Sequence, residues 1–172
     1  MNDYWNSCCL LCFTGIRTGS ISPLRTPEEM KQQLIEKGHP PVAEIRYYPF
    51  PDITNVDAWP KLESDQMSGE KKFIEEAFQI AFDDGYRKVV GLFCLPPAIT
   101  TKQLEEAFLS IRPLDVCLGA DTGGGLYLLG MNAFEPTLIQ PQPFGQSTLA
   151  KSITREIGTM KKIMYKLPVL GI

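Results

Sequence analysis

A run of small and polar residues near the middle of the chain has the composition of a ligand-binding turn. Residues 118–130 read LGADTGGGLYLLG, in which Asp121 and Thr122 precede three consecutive glycines, Gly123, Gly124 and Gly125. Glycine adopts positive φ angles readily and lets a ligand or another backbone approach closely. The same residue types are also ordinary in hairpin turns. The pattern therefore predicts a strand, a glycine turn and a second strand, and it leaves open whether the turn binds anything.

A second group of polar residues follows the first apolar run. Residues 7–14, SCCLLCFT, are continuously apolar enough to predict a strand buried on both faces of a parallel sheet. The loop after it contains Arg17 and Ser20, and Arg25 follows shortly. Open α/β sheets place their ligands at the carboxyl ends of strands. We therefore expect Arg17 to contact an anion and Asp121 to contact a metal or a hydroxyl group.

The elements that must position these residues alternate between the two hydrophobic periodicities. Strands are predicted over residues 7–14, 42–48, 88–94, 115–118, 126–131 and 162–167. Helices are predicted over residues 27–37, 68–83, 102–110 and 147–158, and an irregular loop over 49–60. Such alternation predicts an α/β fold with a mostly parallel sheet, in a single domain spanning residues 1–172.

Composition and charge restrict the function classes. Hydrophobic residues make up 44% and charged residues 22%, which is typical of an ordinary globular protein. The net charge of −3 and the scattered basic residues give no reason to expect a nucleic-acid partner. The apolar run at residues 8–13 is too short for a membrane span, and no basic region precedes it. We therefore expect a cytoplasmic protein; the sequence does not predict its oligomeric state.

Five cysteines, an odd number, lie mostly in apolar runs, where a reduced thiol acts as a small hydrophobe. Cys9 and Cys12 have the CxxC spacing, but they fall within a strand pattern. A zinc site is not expected, because no second CxxC is present and His39 is the only histidine in the sequence. A thiol enzyme based on Cys94 is a further hypothesis, with the weakness that His39 is its only imidazole base.

Residues 73–130 resemble a known family. Small bacterial nucleotide-diphospho-sugar transferases of the glycosyltransferase-A type have a G-Y-x-x-V-V strand, a G-[ST]-D-C-P turn and a D-V-V-x-G-P strand, followed by a D-G-G-Y-Y-L-[IL]-G hairpin. The matching positions, without a gap, are Gly85-Tyr86, Val89-Val90, Pro97, Asp115-Val116, Gly119, Gly124-Gly125, Tyr127 and Leu128-Leu129-Gly130. The resemblance implies a three-layer, Rossmann-like sandwich and a nucleotide or nucleotide sugar as ligand.

The sequence departs from this family where the family carries charge. The aspartate of G-[ST]-D-C-P, which the family is expected to use for a divalent cation, aligns with Leu95, and the aspartate of D-G-G aligns with Gly123. Leucine and glycine side chains offer no oxygen ligand. The family's basic loop is reduced to Arg17 and Arg25. The resemblance therefore implies a divergent member whose metal-dependent catalysis is impaired or lost.

Three hypotheses follow from the resemblance and these departures. The first is a divergent protein that keeps the fold, binds a nucleotide through Arg17, Ser20, Arg25 and residues 122–125, and lacks metal-dependent turnover. The second is an active transferase with a rebuilt Mg²⁺ or Mn²⁺ site, for which Asp121 is the best ligand and Asp52 and Asp57 are further candidates. The third is a non-catalytic interaction protein. No cofactor is otherwise expected.

Overall fold

The computed structural model describes residues 3–16, 27–38, 40–49 and 59–171. After a short 3-10 helix at its start, the described part contains six strands and four α-helices. They are, in chain order, β1 (Cys8–Thr14), α1 (Pro27–Lys37), β2 (Glu44–Pro49), α2 (Trp59–Asp83), β3 (Lys88–Leu92), α3 (Thr101–Ser110), β4 (Val116–Ala120), β5 (Leu126–Met131), α4 (Leu149–Thr159) and β6 (Met164–Lys166). The predicted alternation of strands and helices is confirmed.

The strands form one sheet in the order β2-β1-β3-β5-β4-β6. Strand β1 pairs in parallel with β2 and β3, and β4 pairs in parallel with β6. Strand β5 is antiparallel to both β3 and β4, so it alone among these strands runs the opposite way. The sheet is therefore mostly parallel, as predicted. Every residue of β1 is buried, because the strand has neighbours at both edges and helices over both faces.

Helices cover the sheet on two sides and enclose two cores. On one side, α2 and α4 contribute Ile74, Phe78, Ile153 and Ile157 to a cluster that also contains Phe13 of β1. The Phe13 ring stacks on Phe78 and on Phe93, with ring centroids 6.3 and 5.3 Å apart. On the other side, α1 and α3 contribute Met30, Leu34, Leu104 and Phe108. The arrangement is the three-layer sandwich that the family resemblance implies.

Most element boundaries agree with the sequence prediction. Helix α1 has the predicted bounds and stops at Gly38, which has a φ of +94°. Thr100 caps α3, and its hydroxyl accepts a hydrogen bond from the amide of Gln103. Strand β5 has the predicted bounds, and the ends of the other strands differ from the predicted ones by at most two residues. Local signals therefore place the ends of α1 and α3 to within one residue.

The start of α2 was predicted wrongly. The sequence pattern places a cap at Ser68, whereas the helix begins at Trp59. Proline is tolerated in the first turn of a helix, so Pro60 does not prevent this earlier start. An interior glycine such as Gly69 costs about 1 kcal/mol, which tertiary packing can offset. Residues 50–58 of the predicted loop lie outside the described residues.

Candidate functional site

The segments that carry the predicted site residues meet at the carboxyl edge of the sheet. Strands β1, β3 and β4 run in the same direction, so the segments that follow them lie at one edge. The amide of Phe93, just after β3, donates to the carbonyl of Tyr127, 2.9 Å away, near the start of β5. The segment after β3 is therefore held directly beside the glycine turn that joins β4 to β5.

The carboxylate of Asp121 organises the glycine turn. Its Oδ1 accepts hydrogen bonds from the amides of Gly123, at 2.8 Å, and Gly125, at 3.0 Å. The amide of Gly124 donates to the main-chain carbonyl of Asp121 at 3.1 Å. All three glycine amides are thus bonded to Asp121. The turn is built by the short-range aspartate chemistry that also shapes ordinary turns.

The second carboxylate oxygen of Asp121 is placed differently. The side chain is only 6% exposed, and Oδ2 is buried without a hydrogen-bond partner among the residues that the structure describes. A buried oxygen acceptor without a partner costs about 1–3 kcal/mol. Backbone hydrogen bonds from Thr122 to Leu170 and from Leu170 to Ala120 fix the chain on either side of it. The site therefore contains one fixed, negatively charged group with unused acceptor capacity.

The glycine turn also packs against the start of α4. Gly124 has a φ of +87°, and a Cβ added there would lie 1.9 Å from the carbonyl oxygen of Ser147. In the other direction, the amide of Ala150 in the first turn of α4 donates to the carbonyl of Gly124 at 2.9 Å. Gly124 is therefore required for the close approach of two backbones. The predicted close approach at this turn is thus made by the chain itself.

The segment after β3 has an apolar residue at the position where the sequence resemblance implies a metal-binding aspartate. Leu95, which aligns with the family's aspartate, is 2% exposed and belongs to the core that α1 and α3 cover. It also lines a cavity of about 290 Å³, together with Gln33, Glu36, Lys37 and Pro97. The position is thus used for packing, and its side chain supplies no oxygen to a cation.

A reciprocal pair of contacts fixes the loop after β3, and the sequence analysis missed it. The ammonium group of Lys37 donates to the carbonyls of Pro97, at 3.1 Å, and Ile99, at 2.8 Å. The hydroxyl of Thr101 donates to the carbonyls of Lys37 and Gly38 at the end of α1. Each segment thereby satisfies carbonyl groups of the other. The sequence signal for this contact is a lysine in the last turn of a predicted helix. Such a lysine does not show which distant carbonyl groups accept its hydrogen bonds.

The predicted site residues fall into two groups. Asp121, Thr122 and Gly123, Gly124 and Gly125 come together in the turn at the carboxyl edge of β4. Arg17, Ser20 and Arg25 lie outside the described residues, as do Asp52, Asp57 and His39. No group of three His, Cys, Asp or Glu side chains that could hold a metal occurs within the described ranges. Of the proposed metal ligands, the structure therefore places only Asp121.

The cysteines are core residues. All five are buried thiols. Burial raises the pKa of Cys8 to about 11 and that of Cys9 to about 12, which disfavours the reactive thiolate. Cys9 and Cys12 belong to the cores on opposite faces of the sheet, because side chains of a strand alternate in direction. The CxxC spacing therefore does not form a joint metal or redox site.

Comparison with known proteins agrees with the observed fold. Residues 64–146 match the family model described as "Uncharacterized protein conserved in bacteria (DUF2064)". One similar solved structure is that of a "putative nucleotide-diphospho-sugar transferase from Desulfovibrio desulfuricans G20", with a TM-score of 0.70 and 15% sequence identity. The match covers 95% of this chain and 80% of that one. The chain has the fold of a nucleotide-diphospho-sugar transferase.

Both findings confirm the resemblance drawn from the sequence. The DUF2064 match includes the whole of residues 73–130, the segment in which the motifs align, and the nucleotide-diphospho-sugar transferase fold extends beyond it over nearly the entire chain. A search of curated proteins gave no match. Within the residues that the structure describes, no helix combines the length and apolar character needed to cross a bilayer.

Proposed function

We propose that this chain binds a nucleotide or nucleotide sugar at the carboxyl edge of β1, β3 and β4, and that metal-dependent sugar transfer is impaired or lost. The observation that carries the proposal is the buried leucine at the end of β3. Leu95 is 2% exposed and packs in the core at the position where the resembled family has a metal-binding aspartate. The fold is retained, whereas this part of the charged machinery is replaced by packing.

The chemistry explains why this replacement matters. Transfer of a sugar from a nucleotide diphosphate requires stabilisation of the negative charge that develops on the leaving phosphate. Leu95 and Gly123 supply neither a metal ligand nor a positive charge. Lys37, a cation near this loop, already donates to the carbonyls of Pro97 and Ile99. At Leu95 and Gly123, the described edge therefore lacks the groups that such turnover needs.

The binding contacts are assigned to the residues that the sequence predicts for a ligand. Arg17 and Arg25 would pair with phosphate oxygens, because a guanidinium matches them in charge and fork geometry. Ser20 and the exposed Thr122 would donate hydroxyl hydrogen bonds. Gly123 to Gly125 would allow a ligand to approach the turn closely. They would not donate hydrogen bonds to it, since their amides are bonded to Asp121. The third hypothesis, an interaction protein without a nucleotide, has no comparable support.

One observation favours an active transferase as the second candidate. Oδ2 of Asp121 is buried without a partner among the described residues, and a divalent cation would satisfy it. Magnesium is commonly bound by one or two carboxylates together with substrate phosphates and water. The described residues supply only this one oxygen, so they do not form a complete site for the metal. Asp121 would act here as a ligand and not as a proton carrier.

Calorimetric titration with a panel of nucleoside diphosphates and their sugars tests the proposed binding. We expect binding by the wild-type chain and a weaker affinity for Arg17→Ala. The matched control is Arg87→Ala, because Arg87 is exposed at the opposite edge of the sheet, before β3. An unchanged affinity in Arg17→Ala would remove the phosphate-binding role of that residue. No binding to any member of the panel would overturn the proposed function.

A further inference from the structure

A second concave surface lies beside the glycine turn, between α4 and the last strand of the sheet, and its lining includes Ala120 and Ala150. It is a cavity of about 340 Å³ with an apolar floor that includes Leu118, Ala120 and Leu167. Three cations, Lys151, Arg155 and Lys166, belong to its lining. No acidic residue is among the described residues that line it. The cavity therefore combines apolar volume with uncompensated positive charge.

The strand beside this cavity has an open edge. Strand β6 is the last in the sheet and pairs only with β4 among the described strands. The amide of Leu167 donates to Leu118, and the carbonyl of Ile163 accepts from Val116, so these groups face β4. Backbone groups of successive strand residues face opposite edges in turn. The amide and carbonyl groups of Met164 and Lys166 therefore face away from β4, and no other described strand pairs with them.

Exposed apolar side chains flank this edge. Ile163, before β6, is 59% exposed, and Val169, after it, is 63% exposed and lines the cavity. A lysine on an edge strand by itself serves to keep other strands away. Here, three cations line an apolar cavity, and no other described strand pairs with the outward-facing backbone groups of β6. These features together fit the addition of an extended peptide, in which the main chain pairs with the edge and alternate side chains fill pockets.

We propose that β6 is a docking edge for an extended acidic segment of another protein. Its main chain would pair with Met164 and Lys166, one apolar side chain would enter the cavity, and its acidic side chains would face Lys151, Arg155 and Lys166. A second copy of this chain is the poorer occupant. Antiparallel pairing of β6 with itself would bring the lysines at positions 162 and 166 against those of the partner copy, and like charges across strands are destabilising.

The test uses a short blocked peptide of alternating glutamate and valine, titrated into the ¹⁵N-labelled full chain. We expect amide shifts concentrated at residues 163–169 and an affinity that falls with added salt. The variant R155E/K166E should lose about tenfold or more in affinity. It should also gain affinity for a lysine–valine peptide. Lys72→Glu is the matched control, since Lys72 is an exposed lysine on α2.

Four outcomes would overturn this inference. One is the absence of shifts at residues 163–169, and another is equal binding of the glutamate and lysine peptides. The third is a response of the cavity residues to octanoate but not to the peptide, which would indicate a small-molecule site. The last is concentration-dependent self-association that is abolished by Met164→Pro, which would assign the edge to a second copy. The peptide is titrated in the absence of nucleotide, so none of these outcomes depends on the proposed nucleotide binding.

Discussion

The carbonyl oxygen of Ser147 lies 1.9 Å from the point where a Cβ on Gly124 would be placed. Gly124 in turn accepts a hydrogen bond from the amide of Ala150. The glycine turn after β4 is therefore joined to the start of α4 by two backbone contacts. This junction accounts for Gly124 without a ligand, and together with the hydrogen bonds of the turn it fixes the position of Asp121 at the edge of the sheet.

Gly124→Ala should destabilise the fold strongly. The Cβ would clash with a backbone carbonyl, and the φ of +87° is strained for alanine, so we expect a loss of at least about 2–3 kcal/mol in the free energy of unfolding. Gly158→Ala is the control. A Cβ at Gly158 in α4 meets nothing within 4 Å, and we expect a gain of about 0.5–1 kcal/mol. Urea unfolding measures both. Equal stability of Gly124→Ala and the wild type would contradict the close approach of the Gly124 and Ser147 backbones.

Asp121→Ala should lower stability through the turn amides. The substitution removes the acceptor of Gly123 and Gly125, of which Gly125 is buried, and an orphaned buried amide costs about 1–3 kcal/mol. Asp121→Asn keeps an oxygen acceptor in the same place, so it should retain most of the wild-type stability. Denaturant titration of the three proteins would distinguish them. If both variants lost the same amount, the charge of Asp121 and not its acceptor would be the stabilising feature.

The contacts between α1 and the loop after β3 should be energetically coupled. Thr101→Val removes the hydroxyl that bonds the end of α1, and Lys37→Met removes the ammonium that bonds the loop. We expect each substitution to lower the free energy of unfolding by about 1 kcal/mol. A double-mutant cycle should give a coupling energy of about 0.5 kcal/mol or more. Thr159→Val, whose hydroxyl bonds within its own helix, is the control for Thr101→Val. Strict additivity would mean that the two contacts act separately.

Tyr86 should make the stability fall at alkaline pH. Its hydroxyl donates to Oε2 of Glu44 at 2.6 Å, and this hydrogen bond, with some desolvation, raises the pKa of Tyr86 from 10.0 to about 12. The folded chain thus holds the proton more tightly than the unfolded chain does. The contribution of this hydrogen bond to the stability of the fold is complete below pH 10 and is lost as the pH rises to about 12.

Tyr86→Phe isolates this effect from the buried thiols, whose raised pKa values act in the same direction in both proteins. Stability measured from neutral pH to pH 12 should fall less steeply for Tyr86→Phe than for the wild type. Identical slopes in this range would show that the hydrogen bond to Glu44 does not persist in solution.

Much of the fold could be predicted from the sequence because its signals are local. The buried run of β1, the glycine stop of α1, and the hairpin of β4 and β5 each depend on neighbouring residues. The predicted start of α2 was wrong because Ser68 carries a cap signal, although the helix already begins at Trp59. The extent of such a helix depends on contacts that a residue pattern does not contain.

The candidate site was predicted only in outline. The sequence identified Asp121 and the glycines together, and the structure confirms that they form one turn. It did not indicate that one oxygen of Asp121 would bond the turn while the other stayed without a partner among the described residues. Contacts between Gly124 and Ser147, or between Lys37 and Pro97, join segments that only the folded sheet brings together.

The dependence of nucleotide binding on metal tests the central claim most directly. A nucleoside diphosphate that binds the chain would be titrated calorimetrically with Mn²⁺ and with a chelator, after subtraction of metal–nucleotide binding in buffer. Because Leu95 replaces the aspartate that the resemblance implies, we predict that the nucleotide binds with the same affinity with Mn²⁺ and with the chelator. Asp121→Asn should likewise bind it equally well in both conditions. An affinity at least about tenfold higher with Mn²⁺, lost in Asp121→Asn, would contradict this account and establish a rebuilt metal site at Asp121.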